Sequence, residues 1–116
     1  MTTGDTAQPR LAGTAWAFTA IDGYAPVAPE RATMSFTDNR LSATVGCNGM
    51  GGDWRIDAEN RLVGGTYMST RMFCEGLMEQ EQAVGALLAA NPTVMVAGNR
   101  MTLTAPGHSA ELRRAD

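Results

Sequence analysis

Lysine is missing altogether: all nine basic residues of this 116-residue chain are arginine. They are scattered, with Arg113-Arg114 the only adjacent pair, and the formal net charge is −3. Recognition of a phosphate backbone needs a dense basic footprint, so no nucleic-acid partner is expected, and there is no electrostatic case for an anionic membrane surface. No apolar run approaches the roughly 18 residues of a transmembrane helix, so no transmembrane segment is expected. Histidine is represented only by His108, which sits in a Pro-Gly turn far from Cys47 and Cys74. Zinc takes about four ligands, and the chain does not supply them together. Neither Cys-x-x-Cys nor Gly-x-Ser-x-Gly occurs, and the glycine cluster lacks the lysine and Ser/Thr of a P-loop. No catalytic constellation, cofactor or metal site is therefore expected.

What is present fits one soluble domain with a real core. Hydrophobic residues make up 44% of the chain and charged residues 18%, a globular balance. Residues 1–10 read as a disordered leader, or a linker from which an export signal is gone, and residues 11–114 as a single domain. Eight methionines raise the question of copper(I), but Met34, Met78 and Met101 fall on apolar faces, where methionine is core filler.

Along the chain, Trp16, Phe18 and Ala20 alternate with Ala17 and Thr19 as a half-buried strand ended by Asp22-Gly23. Two prolines, Pro26 and Pro29, make the next stretch an extended connection. Met34 and Phe36, then Leu41, Ala43 and Val45, form a hairpin about Asp38-Asn39, residues that tolerate positive φ. The glycine cluster Gly46–Gly52 reads as a bulge or turn. Trp54-Ile56 and Leu62-Val63 flank another turn at 57–60. Leu77, Val84, Leu87 and Leu88 have helical spacing, with acidic residues near the start and Asn91-Pro92 as a stop. Val94 and Val96, then Met101 and Leu103, flank Gly98-Asn99, and Pro106-Gly107 leads to a last strand through Leu112.

The predicted class is α+β: a strongly curved, mostly antiparallel sheet, a partial barrel, with one helix at about 77–90. The predicted core is Trp16, Phe18, Met34, Phe36, Val45, Ile56, Val84, Leu87, Val94, Val96, Leu103 and Leu112. Glu79 and Glu81, two apart on the helix, face different ways and read as solvated surface.

Three readings are open for Cys47 and Cys74: a structural bridge, two buried thiols, or redox or metal chemistry. The bridge is favoured. It would close the loop over residues 47–74 and stabilise the fold by about 3–4 kcal/mol. Asn48, in its glycine-rich turn, is expected to bond neighbouring backbone. The alternative is that Asn48, Trp54 and Arg71 line a concave sheet face and bind a peptide or small ligand.

Taken together, Trp16, the Gly46-Cys47-Asn48…Gly52-x-Trp54 box, Thr70-Arg71-Met72-x-Cys74, the Met78…Glu81…Leu87 helix and the final hairpin resemble the META/HslJ-like domain family. The likeness spans nearly all of Leu11 to Arg113, with tryptophan at 54 where tyrosine is more usual. It implies a non-enzymatic, exported or lipid-anchored domain of the cell envelope, in the periplasm or on the outer membrane, acting in stress or drug tolerance through an envelope protein partner. It makes Gly46, Asn48, Gly52, Trp54, Thr70 and Arg71 the motif residues. A monomer in isolation is expected. The runner-up is a ligand or peptide binder on the concave face, and a third reading is thiol redox chemistry at Cys47 and Cys74.

Overall fold

The computed structural model describes residues 10–64 and 72–116. In chain order the elements are β1 (Ala15–Ile21), β2 (Thr33–Phe36), β3 (Leu41–Thr44), β4 (Gly49–Gly52), β5 (Trp54–Ile56), β6 (Leu62–Gly64), α1 (Met78–Ala89), β7 (Thr93–Ala97), β8 (Arg100–Ala105) and β9 (His108–Arg114). A seven-stranded antiparallel sheet runs β4-β3-β2-β1-β9-β8-β7, and β5-β6 form a separate pair. The large sheet does not close. Its two edges are β4 and β7, and the β5-β6 hairpin leans on the second: the Leu62 amide donates to Pro92 O and the Val94 amide to Asn60 O, both at 2.8 Å. This is the curved α+β architecture that the periodicity predicts.

Inside the curve, alternate side chains of the strands meet α1. Trp16, Phe36, Met34, Leu41, Met101 and Leu112 are among the fully buried residues, joined by Val84, Leu87 and Leu88 of the helix. The indole N–H of Trp16 is satisfied by Thr14 Oγ1 at 2.8 Å, so a large aromatic is buried with its polar handle paired.

Four departures from the expected elements have physical causes. In β1 the pairing with β9 slips between Phe18 and Ala20, a bulge that changes the phase of alternation. Ile21, not Ala20, is consequently the third buried residue of that strand. At the β2–β3 hairpin neither Asp38 nor Asn39 takes a positive φ. Thr37 holds that turn, its amide donating to Arg40 O while its Oγ1 accepts from the Arg40 amide.

The glycine cluster is not simply a turn: Gly49–Gly52 is the edge strand β4, paired in register with Leu41–Thr44. A Cβ at Gly51 would stand 2.8 Å from Arg40 Nη2 and 3.0 Å from Leu41 O, so the missing side chain is what permits the approach. Val96, predicted in the core, is 39% exposed. It pairs with fully buried Met101, but β7 is the outermost strand and gives Val96 a neighbour on one side only. Ile56 is half-buried against the core.

Helix α1 starts after Leu77 and ends before Asn91, which takes φ +53°. Among the described residues no helix is long and apolar enough to cross a membrane.

Candidate functional site

The motif residues between β3 and β4 are drawn together by a bond network around Asn48. Gly46, at φ +114°, turns the chain out of β3, with a Cβ there already 3.3 Å from Ala28 Cβ. That turn delivers Cys47 to Cys74, and the two form a disulfide. Asn48 follows and is 1% exposed. Its Nδ2 donates to Met72 O and to Glu81 Oε2, each at 2.8 Å. Its Oδ1 accepts from the Met72 amide at 2.6 Å, and its own amide donates to Glu81 Oε1 at 2.9 Å. The side-chain amide thus pairs with the backbone of Met72 much as a strand neighbour would. Glu81 in turn takes both Asn48 N–H groups with its two oxygens.

Two expectations are corrected here. Asn48 does bond backbone, but that of a segment 24 residues away, not its own turn. Glu81 is not solvated surface but 3% exposed, and only Glu79 of the pair faces water. A glutamate near a helix start looks the same in sequence whether it faces solvent or a buried amide.

Trp54 likewise is engaged with the fold. Its Nε1–H donates to Thr37 O at 2.9 Å, and its ring meets Phe36 edge to face with centroids 5.0 Å apart. Gly52 is paired with Leu41 in the sheet. Thr70 and Arg71 lie outside the described residues. Among the described residues, Asn48 is closed into this network and Trp54 packs half-buried against the core, which fills the inner face of the sheet.

A second polar cluster was not signalled beyond the turn residues Asp22-Gly23. Asp22, at φ +53°, accepts from the Ser109 amide at 2.9 Å and meets His108 Nδ1 at 2.9 Å. Desolvation pushes the Asp22 carboxyl up, but the Ser109 amide and His108 outweigh it and hold it below the ordinary aspartate value. Beside it lies a cleft of about 500 Å³ between α1 and the segment after β1, lined by Ile21, Tyr24, Val27 and Gln80 among others. Gln80 straps that segment to the helix, accepting from the Val27 amide and donating to Ala25 O, both at 2.9 Å.

At the far edge of the sheet, β7 presents Met95 and Val96 to solvent, 67% and 39% exposed. The Gly98-Asn99 turn sets Ala97 opposite Arg100, so Ala97, Met95 and Thr93 exchange hydrogen bonds with β8. By the antiparallel alternation, Val94 and Val96 direct their amides and carbonyls away from β8. The Val94 amide is taken by Asn60 O. Among the described residues no strand pairs with Val96 on its outer side. An open cavity of about 530 Å³ lies at the β7–β8 turn, lined by Ala97, Asn99, Arg100, Arg113 and Arg114.

The profile of the META domain matches residues 9–116, nearly the whole chain. The chain belongs to the META domain family. No curated protein matches it. Among solved structures, a protein determined by NMR is similar to this META domain at TM-score 0.76 and 19% identity, over 97% of this chain and 95% of its own. A protein from Burkholderia xenovorans, also determined by NMR, is similar at TM-score 0.70 and 25% identity, over 90% and 83% of the two chains. A crystal structure of a DUF4847 family protein from Bacteroides vulgatus is similar at TM-score 0.66 and 12% identity, over 89% and 93%. Sharing at such low identity is a sharing of fold. In this META domain the motif residues Gly46, Cys47, Asn48 and Cys74 hold two segments together, and their disulfide is compatible with a location outside the cytoplasm.

Proposed function

We propose that this META domain is a non-enzymatic module of the cell envelope that serves stress or drug tolerance by binding another protein, and that the β7 edge is its contact surface. The observation that carries the reading is the outward-facing backbone of Val96 between exposed Met95 and Ala97. An unpaired strand edge with apolar side chains is a template for an added strand, and folded proteins normally protect one with charge, proline or a bulge. Residues 93–97 carry none of these, and the β5-β6 hairpin covers the edge only as far as Val94. The disulfide supports the envelope part, since such bridges persist in oxidising compartments.

The test is site-specific photocrosslinking in cells that export the domain, with the probe replacing Met95 and, as a control, exposed Arg55 on β5. A discrete adduct from position 95, absent from position 55 and lost when Val96→Pro removes the edge amide, is the expected result. Adducts of equal yield from both positions, or none from position 95, would sink the reading.

A further inference from the structure

The arginines beside the β7 edge add a chemical specification to that surface. Arg100 and Arg113 are direct cross-strand partners on β8 and β9. Like charges placed directly opposite one another are unfavourable in a sheet. Arg114 is next in the chain, and all three line the cavity that Ala97 and Asn99 complete. Arg114 is occupied, its guanidinium paired with Asp116 and stacked 5.6 Å from the Trp16 ring centroid. No described hydrogen bond or ion pair engages the side chain of Arg100 or Arg113. A positive cluster thus stands at one corner of a chain whose net charge is −3.

Its position relative to the edge matters as much as its sign. Ala97 separates Arg100 from the open side of β7 and, as Arg100's cross-strand partner, is too short to cover it. Met95 shares the outer face with Ala97, because strand residues two apart lie on one face. We infer that the β7 edge accepts an extended acidic segment of another protein, with an apolar side chain beside Met95 and a carboxylate two residues along, at Ala97, where Arg100 and Arg113 reach it. This rests on the edge reading above. Strand addition supplies main-chain hydrogen bonds, and the arginine forks supply charge-assisted, bidentate recognition of a carboxylate. A second copy of this chain is the wrong occupant, since its own edge strand, Thr93–Ala97, carries no carboxylate to set beside Arg100 and Arg113.

The experiment titrates the ¹⁵N-labelled domain with blocked, extended peptides in which valine and threonine alternate and one outward position carries glutamate, or lysine in the counterpart. The glutamate peptide is expected to shift the amides of Val96, Ala97, Arg100 and Arg113 and to bind about tenfold or more tighter than the lysine peptide. The double variant Arg100→Glu, Arg113→Glu, exposed at both positions, should reverse that preference while the spectrum stays folded. Equal binding of both peptides overturns the acidic-partner inference and leaves the edge reading standing. Several other results overturn the inference as well. They are no shift of the edge amides with either peptide, a concentration-dependent shift of these amides without peptide (a second copy on the edge), and binding to phosphatidylglycerol vesicles in place of peptide.

Discussion

Asn48 and Glu81 show how one polar pair can join parts of the chain far apart in sequence. Both Glu81 oxygens accept from Asn48, so each needs a lone pair facing inward. Glu81→Gln keeps the shape but puts an NH₂ against one of the Asn48 donors. It should cost about 1–3 kcal/mol in urea denaturation, the range for a buried polar group left unpaired. Glu79→Gln, two residues away and exposed, should stay within about 0.5 kcal/mol of the parent. Asp22 gives a pH signature of its own. Its carboxyl is held below the ordinary value of 3.8, so the folded state binds that proton less readily than the unfolded chain does. The stabilisation is therefore present above the unfolded value and is lost as pH falls through the folded one. Thermal melts of Asp22→Asn should lie below those of the parent near neutral pH and converge with them as the pH drops below about 4. A gap that stays constant into acid contradicts this role.

At the scale of elements, the turns were the most legible part of the sequence. Gly98-Asn99 and Pro106-Gly107 carry their glycines at φ +61° and +84°, and the 57–60 turn carries Asn60 at +62°. Turn chemistry of this kind is local, so a single sequence can show it. The alternation of Met34 and Phe36, the helical spacing of Leu77 to Leu88, and most of the core were readable for the same reason. What was hidden depends on tertiary partners. Gly49–Gly52 has only the Met50 side chain to announce a strand, and the close approach of Leu41 O that suits glycine at 51 exists only once the strands pair. The β1 bulge and the outer position of β7 also follow from which strands become neighbours. The motif is visible as residues but not as geometry: no local pattern shows that Asn48 bonds the backbone of Met72, 24 residues away. Gly46 offers a test at this scale. At φ +114° a side chain is strained regardless of space, so Gly46→Ala should lose about 1–3 kcal/mol. Gly85, mid-helix at a half-buried position with only Met50 Sδ within 4 Å of a Cβ, should accept alanine without loss and gain helix propensity.

The whole molecule is a curved sheet around a helix, with its two edges treated differently. The β4 side is fastened by the disulfide and the Asn48 network, which fix residues 47–48 to 72–74 and to α1. Replacing both cysteines by serine frees the loop they close and should lower stability by about 3–4 kcal/mol, read as a shift of the denaturation midpoint. A reduced parent protein should match that variant. The β7 side is covered by the β5-β6 hairpin as far as Val94 and, among the described residues, has no partner strand at Val96, beside a cluster of arginines; the proposed function depends on that asymmetry. Site-resolved amide hydrogen exchange of the free domain measures it most directly. The account predicts a Val96 amide that exchanges far faster than those of Val94 and Met95 on either side of the alternation, and that slows when the glutamate peptide is added. A Val96 amide protected in the free domain as well as its neighbours would mean that the edge is already covered, and would contradict the central claim.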